Sequence, residues 1–340
     1  MMSLRLPEGY TERPARLSDA EALTRIFNAD SQRLFGVNQH DADNLATEWQ
    51  TPGFDLGRDT RVVLAPSGKP VGYAEVWDID APHVRIWSWG CVDPEERGRG
   101  IGSALVTWQD GRGRAALDVA PSASRVSLRQ SVSNLDEPAE RLLKSCGYAP
   151  IRHTFQMKIE LDQATAAPVW PCGVTVRTFD LASDLLPMVE AIQAAFRDHW
   201  GYVESPLESS LAVWRHIVTE EKSFDASLWF LADHDGDIVA VALCSAIEPE
   251  DPDLGYVNTL CVGRPWRRQG IGLALLHHAF GELGRRGKKR VGLGVDGSSL
   301  TGAVRLYERA GMHVDRRRIL YEKELRPGVD LTTQSLEERA

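Results

Sequence analysis

A glycine-rich segment of this 340-residue chain occurs twice, separated by half of the chain's length. Residues 91–105 read CVDPEERGRGIGSAL and residues 261–275 read CVGRPWRRQGIGLAL, and the two align without a gap. The matched glycines Gly100 and Gly270 are therefore 170 positions apart. Residues 140–148 also parallel residues 304–312, in the same order along the chain. Ordered matches of this kind predict two copies of one fold rather than one long domain.

The repeat divides the chain into two predicted domains and a tail. We expect an N-terminal domain over residues 1–162 and a C-terminal domain over residues 172–326. The join is expected in residues 162–171, where the run Gln-Ala-Thr-Ala-Ala-Pro interrupts any periodicity. Residues 327–340 look like a polar tail.

Hydrophobic periodicity in the C-terminal half predicts a succession of strands and helices. The expected strands cover residues 175–177, 227–232, 238–247, 256–262, 290–295 and 319–325. The expected helices cover residues 184–196, 207–217, 270–284 and 303–310. The N-terminal half shows the same order of elements. Each half is therefore predicted to be α/β, with a mixed, mostly antiparallel sheet flanked by helices.

Charge and composition exclude several classes of partner. The formal net charge is −9, and a protein that coats nucleic acid needs a basic face, so no nucleic-acid partner is expected. No apolar leader is visible, and the longest apolar run, residues 238–247, is too short to span a bilayer. We therefore expect a cytoplasmic protein without a membrane partner. The five cysteines contain no CxxC pair, and the adjacent His277 and His278 point apart on a helix, so no metal site is expected.

The repeated segment places glycines between a strand and a helix. In residues 267–272, RRQGIG, glycine lets consecutive backbone N–H groups turn toward one point, and the helix N-terminus adds partial positive charge. Such a turn suits a pyrophosphate group, while a tight connection without a ligand is the alternative for any single copy. Two copies at matched positions, both with arginines alongside, favour anion binding.

The pattern Arg-x-x-Gly-x-Gly after an apolar strand resembles the acetyl-CoA motif of the GCN5-related N-acetyltransferases, or GNATs. The later segment AVRLYERAGM, residues 303–312, looks like the second signature of that family, which usually ends Leu-Tyr-x-x-x-Gly-Phe. The resemblance occurs twice and covers nearly the whole chain. This tandem arrangement is similar to that of the double-GNAT acetyltransferases of actinobacteria. It implies two tandem GNAT-fold domains. In that fold a bulged fourth strand separates from the fifth, and the pantetheine arm of CoA pairs with the exposed edge.

The resemblance also implies the residues that bind acetyl-CoA, the expected cofactor. In the C-terminal half these are Leu260, Cys261, Val262, Arg267, Arg268, Gln269, Gly270, Ile271, Gly272, Leu273 and Ser299. In the N-terminal half they are Val92, Arg97, Gly98, Arg99, Gly100, Gly102 and Ser103. A loop that follows the first long helix of the C-terminal half is expected to bind the acceptor, its alternative role being to pack over the sheet. It contains Asp198, His199 and Trp200.

The second signature differs between the halves at the position expected to matter for chemistry. Its tyrosine is Tyr307, whereas the N-terminal half has Leu143 at that place. A phenol can protonate a leaving thiolate and leucine cannot, so we expect a catalytic C-terminal domain and a degenerate N-terminal one.

The general base is less directly indicated. Many family members carry a glutamate early on the fourth strand, but residues 256–259 contain none. Glu248 and Asp253 belong to an acidic loop just before this strand, and they are the carboxylates expected to act, through water. The alternative is that the loop is simply solvated.

Together these features predict an acetyl-CoA-dependent N-acetyltransferase that acetylates a small-molecule amine by direct attack in a ternary complex. The alternative is a non-catalytic acyl-CoA-binding, regulatory tandem module. A nicotinamide oxidoreductase, suggested by a GxGxxG match at residues 292–297, is disfavoured by the repeat. The acceptor stays open among a mycothiol precursor, which residues 198–200 disfavour, an aminoglycoside, an amino acid, a polyamine and a peptide N-terminus. The expected assembly is a monomer, as an internal pseudo-dimer, or a homodimer.

Overall fold

The computed structural model describes residues 4–161 and 166–335. The chain forms two compact units, the first built from the chain up to Arg152 together with Arg318–Leu331. The second is built from His153–Arg317 together with the described residues from Thr332 to residue 335. Parts of the predicted join and tail, residues 162–165 and 336–340, lie outside the described residues.

The first unit is a mixed sheet with helices packed against it. Its strands, in sheet order, are β1 (Thr11–Arg13), β2 (Thr60–Leu64), β3 (Pro70–Trp77), β4 (Arg85–Val92), β5 (Val126–Ser133) and β12 (His313–Arg326). Its helices are α1 (Ala20–Phe35), α2 (Ala42–Glu48), α3 (Leu56–Asp59), α4 (Ile101–Gly113) and α5 (Glu137–Ser145). Neighbouring strands are antiparallel except β4 and β5, which are parallel.

The second unit repeats this plan. Its strands, in sheet order, are β7 (Thr175–Thr178), β8 (Trp229–His234), β9 (Asp237–Ser245), β10 (Leu254–Val262), β11 (Arg290–Asp296) and β6 (Ala149–Glu160). Its helices are α6 (Leu185–Phe196), α7 (Leu207–Glu220), α8 (Ile271–Arg285) and α9 (Ala303–Arg309). Only the β10–β11 pair is parallel among these strand pairs of the described chain. The mixed, mostly antiparallel α/β architecture confirms the predicted fold class.

The last strand of each sequence repeat pairs with strands of the other repeat. Strand β6 follows the N-terminal repeat but pairs with β11, and strand β12 ends the C-terminal repeat but pairs with β5. The compact units therefore do not follow the linear division at residues 162–172 that the repeat predicts. A repeat shows that two copies exist, but it does not tell which sheet a terminal strand completes.

Two apolar layers sandwich the sheet of the second unit. On one face, α8 packs through Leu275 and Phe280, and α9 packs through Tyr307. On the other, α6 buries Met188, Val189, Ile192 and Ala195, which recur at helical spacing. Strand β9 lies between these layers, and its residues from 239 to 245 are all buried, as expected of a strand covered on both faces. Within the described residues, no helix is both long and apolar enough to cross a membrane.

The predicted polar tail is docked rather than free as far as residue 335. Thr333 exchanges backbone hydrogen bonds with the segment that follows α6, since Gly201 donates to its carbonyl and its N–H donates to Tyr202. Both Thr332 and Thr333 are buried. The tail segment is therefore part of the second unit's packing.

Candidate active site

The parallel strand pair separates at equivalent positions in the two units. Strands β10 and β11 remain in register as far as the pair Val257 and Leu293. Strands β4 and β5 remain in register as far as the pair Trp87 and Arg129. Beyond these points β4 and β10 pair with one neighbouring strand only. We call the gap between the separated strands the cleft of each unit.

The bulge implied by the family resemblance is present in β10 and absent from the paired part of β4. The register between β10 and β9 shifts between Val257 and Thr259, so Asn258 is the extra residue. In β4 the register with β3 runs from Gly72 opposite Val92 to Trp77 opposite Trp87 without a shift. A bulge redirects backbone N–H groups, so the two clefts present different donors.

Both glycine-rich turns adopt the same backbone conformation. Gly100 and Gly270 cap α4 and α8 with φ of 85° and 91°, in the left-handed region that favours glycine. A Cβ atom at either position would meet nothing within 4 Å, so conformation and not crowding requires glycine here. The first N–H groups of each helix lack intrahelical partners and point out of the turn. This geometry fits a phosphate.

The arginine that opens the second turn is engaged by protein groups. Nη1 of Arg267 lies 2.5 Å from Oδ2 of Asp198, Nη2 donates to the carbonyl of Ala195, and Nε donates to the carbonyl of Val262. Arg264 adds a further contact to Asp198 at 3.4 Å. The structure thus engages both side chains with protein groups, and the contacts of Arg267 with the cofactor and of Asp198 with the acceptor stay predictions. The pair holds the turn in place.

The first unit contains the matching arrangement. Nη2 of Arg97 lies 2.6 Å from Oδ1 of Asp30 on α1, and its Nη1 lies 3.5 Å from Oδ1 of Asp136. Arg97, like Arg267, therefore anchors its turn to a helix. The sequence signal for this role was available only as an aspartate near the end of the first long helix in each half.

Arg268 is the cationic side chain of the second turn that remains available. It is exposed, has φ of 65° although it is not glycine, and forms no hydrogen bond or ion pair with any residue that the structure describes. Its counterpart is Gly98, with φ of 78°. Gln269 instead donates to the carbonyl of Pro265, and Arg99 pairs with Glu96.

The remaining predicted cofactor residues contribute through the backbone or through packing. Gly272 and Gly102 bring their helices close to α9 and α5, because an added Cβ would lie 3.2 Å from Leu306 and 3.0 Å from Leu142. Ile271 is buried in the core and Leu273 packs against it. Ser299 accepts a hydrogen bond from the N–H of Ala303 and contacts Thr301, so it shapes the loop before α9.

Tyr307 lies on α9, beside Cys261. Cys261 belongs to the part of β10 that has separated from β11. Burial, with a contribution from Cys261, raises the pKa of Tyr307 to about 12, so the phenol holds its proton at neutral pH. Its hydroxyl forms no hydrogen bond with the described residues. Burial also raises the pKa of Cys261 to about 12, which makes this thiol a poor nucleophile.

Glu248 is the carboxylate with the properties of a base. Burial and the charge of Glu250 raise its pKa to about 7. It lies close enough to Tyr256 on β10 that its charge contributes to the raised pKa of that phenol. Tyr256 in turn packs over Gly292 and Gly294 of β11, at the strand pair that opens into the cleft.

Asp253 lacks these properties. Its carboxylate lies 2.8 Å from Nζ of Lys289, and this contact lowers its pKa. It immediately precedes β10, at the end opposite to Val262 and the glycine-rich turn, so the strand's length separates it from that turn. Asp253 is thus engaged by Lys289, and its expected role as a base acting through water stays a prediction.

His199 and Trp200 lie next to the ion pair that anchors the second turn. The ring centroid of His199 lies 4.2 Å from that of Phe196, with the two rings tilted. Burial together with the charge of Arg267 lowers the pKa of His199. The indole N–H of Trp200 donates to the side-chain oxygen of Gln334 in the docked tail. His199 is therefore a neutral group near this end of the cleft, and Trp200 has a structural partner.

A cavity of about 670 Å³ occupies the cleft of the first unit. It is lined by the separated parts of β4 and β5, by the turn from Arg97 to Ser103, and by Leu143. Val92, Gly98, Gly100 and Gly102 are among the predicted residues that line it. Sequence reasoning missed other lining residues, among them His40 and Arg318.

The residues of both clefts fit acetyl-CoA. The free edge of β10 at Leu260, Cys261 and Val262 can pair with an extended pantetheine arm, and the N–H groups after Gly270 can hold its phosphates. The first unit offers the equivalent edge and turn. Within the described residues, no cluster of three or more metal-ligating side chains is present.

Comparison with known proteins identifies the family. The model of the acetyltransferase (GNAT) family matches residues 21–148 and again residues 188–312. The chain therefore belongs to the GNAT acetyltransferases and carries their domain twice, and its cofactor is acetyl-CoA.

Several relatives resemble the chain over most of its length. It is 30% identical over 271 residues to a mycothiol acetyltransferase from Streptomyces griseus, covering 77% of this chain and 79% of the relative. The structure of a GCN5-related N-acetyltransferase from Sphaerobacter thermophilus is 36% identical, with a TM-score of 0.78 over 97% of this chain and 100% of that one. A tandem GNAT protein from the clavulanic acid biosynthesis pathway shares the fold at 16% identity, with a TM-score of 0.71 over 94% of this chain and 99% of that one.

Proposed function

We propose that the second unit transfers the acetyl group of acetyl-CoA to the amine of a small molecule, by direct attack in a ternary complex. The observation that carries this proposal is the position of Tyr307 beside Cys261 on the separated part of the bulged strand β10. When bound, acetyl-CoA supplies the acetyl group as a thioester.

The groups of the second unit divide the work of such a transfer. Glu248, with a pKa of about 7, can accept a proton from an ammonium acceptor near neutral pH. Backbone N–H groups at the bulge around Asn258 can donate to a carbonyl oxygen. Tyr307 holds a proton at its hydroxyl that a departing sulfur can take. The protonated thiol of Cys261 argues against an acyl-cysteine route.

The acceptor is a small-molecule amine in this proposal, and the relatives favour one candidate. Matching relatives are mycothiol acetyltransferases, which supports a mycothiol precursor among the amines to test. The sequence argument against it rested on residues 198–200. Asp198 pairs with Arg267 and Trp200 pairs with Gln334, so that argument no longer holds.

A thiol-release assay tests the function. We expect the purified protein to release CoA from acetyl-CoA in the presence of a suitable amine, tested with a panel that includes a mycothiol precursor. The variant Tyr307→Phe should lower kcat by about 100-fold or more. The affinity for acetyl-CoA, measured by calorimetry, should be nearly unchanged. Tight binding of acetyl-CoA without turnover on any amine would instead favour the non-catalytic module. An unaltered rate in Tyr307→Phe would remove Tyr307 from the mechanism.

A further inference from the structure

The cavity of the first unit contains a partly buried arginine that the proposed chemistry does not use. Arg318 lies on β12 and lines the same cavity as the glycine-rich turn. Its Nε donates to the hydroxyl of Ser131 at 3.1 Å, and its Nη2 donates to the carbonyl of Ser131 at 2.8 Å. Nη1 has no hydrogen-bond partner among the described residues.

No carboxylate of the described chain forms an ion pair with Arg318. Three carboxylates line the same cavity, but each is engaged by another arginine. Asp30 pairs with Arg97, Asp136 pairs with Arg33, and Glu96 pairs with Arg99. A guanidinium that is removed from water without a counter-charge is costly, as its lowered pKa reflects.

The neighbours of Arg318 do not compensate its charge. His40 lies close by, and burial together with the charge of Arg318 lowers the pKa of this imidazole, so it is neutral at pH 7. His40 packs against Phe27 and Trp89, whose rings also line the cavity. The guanidinium thus lines a cavity that also has aromatic rings in its wall.

We propose that the cavity of the first unit binds a small molecule that bears a carboxylate, which pairs with Arg318. The planar guanidinium has unused donors toward the cavity, and charge-assisted hydrogen bonds between guanidinium and carboxylate are the strong ones. The inference goes beyond the proposed acetyl transfer, because it concerns the unit that lacks the phenol and the bulge.

Two sources could provide this carboxylate. The cavity is continuous from the glycine-rich turn to Arg318, so the group could be the distal carboxylate of an acyl chain carried by CoA. It could also belong to a free acid that enters beside CoA. Both sources share the same recognition by Arg318, and binding measurements separate them.

The experiment compares matched ligands by calorimetry on the full chain. Succinyl-CoA and butyryl-CoA have acyl chains of equal length that differ in the terminal carboxylate, and free succinate is titrated in the presence of CoA. If the carboxylate belongs to the acyl chain, one site of the wild-type protein should bind succinyl-CoA about tenfold more tightly than butyryl-CoA. If the carboxylate belongs to a free acid, succinate should bind in the presence of CoA, and the affinities for succinyl-CoA and butyryl-CoA should be equal.

Two variants assign the effect to Arg318. Arg318→Gln should abolish the preference for the carboxylate. Arg317→Gln removes the same charge one position earlier on β12, where successive side chains point to opposite faces, and it should retain the preference. Thermal unfolding checks that each variant folds. Wild-type protein that does not distinguish succinyl-CoA from butyryl-CoA and does not bind succinate overturns the proposal, as does a preference that survives in folded Arg318→Gln.

Discussion

Oδ2 of Asp198 lies 2.5 Å from Nη1 of Arg267, and this ion pair joins the chain just after α6 to the glycine-rich turn before α8. Arg267 also binds the carbonyls of Ala195 and Val262, so one guanidinium connects α6, β10 and the turn. Asp198 is buried. A residue that the family motif would assign to phosphate binding is thus engaged as an internal brace.

Replacing Asp198 by asparagine should therefore weaken both folding and cofactor binding. Asp198→Asn leaves Arg267 without its counter-charge, so we expect a loss of about 1–3 kcal/mol in the free energy of unfolding. The KM for acetyl-CoA should rise because the turn is less well held. Denaturant unfolding and steady-state kinetics measure the two effects.

The matched control is Asp30→Asn in the first unit. Asp30 braces the other turn through Arg97, so its loss should lower stability while leaving the kinetics of the second unit unchanged. Equal damage to turnover from both substitutions would contradict the assignment of chemistry to the second unit.

The repeat and the glycine-rich turn were predictable because they depend on local sequence. Gly100 and Gly270 need the left-handed conformation wherever a strand passes tightly into a helix, and the hydrophobic periodicity marks the elements on either side. The order of strands and helices in each half follows from these signals. They also predicted the position of Tyr307, since it lies in the second signature.

The features that sequence reasoning missed depend on contacts between distant residues. The exchange of β6 and β12 between the sheets leaves no local trace, because a buried strand has the same pattern in either sheet. The pairing of Asp198 with Arg267 joins residues on different elements. Arg318 reaches the cavity of the first unit only because β12 pairs with β5. The bulge at Asn258 likewise depends on register with β9.

Glu248 should impose a pH dependence on turnover. A base must be deprotonated, so kcat/KM should rise about tenfold per pH unit below pH 7 and level off above it, given a pKa of about 7. Glu248→Gln should remove this limb and lower the plateau by about 100-fold. Rates measured between pH 5 and pH 9 test both points.

Stability should change with pH in the opposite direction. Burial raises the pKa of Glu248 above its value in the unfolded chain, so folding favours the protonated carboxyl. That contribution is complete at low pH and is lost as the pH rises toward 7. Glu248→Gln should therefore flatten the pH dependence of unfolding in this range.

Glu250→Gln serves as the control for this carboxylate. The charge of Glu250 raises the pKa of Glu248, so its removal should move the rate limb to lower pH without abolishing turnover. If kcat/KM of Glu248→Gln still rises with pH below pH 7, another group is the base.

Substitutions of Arg268 can separate its contribution to acetyl-CoA affinity from the cost of its backbone strain to stability. With φ of 65° it occupies the left-handed region where its counterpart in the first unit is Gly98. Arg268→Gly should raise the free energy of unfolding by about 1 kcal/mol, because glycine relieves the strain. Acetyl-CoA affinity should nevertheless fall several-fold, since the exposed guanidinium is lost.

The alanine variant separates the two effects. Arg268→Ala removes the same charge but keeps a Cβ atom in the left-handed region, so it should lose affinity without gaining stability. Calorimetry and denaturant unfolding on both variants provide the comparison. Unchanged affinity in both would mean that the backbone N–H groups alone bind the cofactor at this turn.

Leu143 tests the difference between the units. It is buried at the place that Tyr307 occupies in the second unit, and it lines the cavity. Leu143→Ala should cost about 2–5 kcal/mol in the free energy of unfolding, as expected for a buried leucine. The turnover of the folded variant should be unaffected, because we propose that the chemistry takes place in the other unit.

Introducing a phenol into the first unit should not restore catalysis. The missing tyrosine is only one of two differences, since β4 also lacks the bulge that redirects backbone N–H groups in β10. The double variant Tyr307→Phe with Leu143→Tyr should therefore remain as slow as Tyr307→Phe alone. Recovery of turnover would show that the unbulged strand is sufficient, and that the phenol by itself distinguishes an active unit from an inactive one.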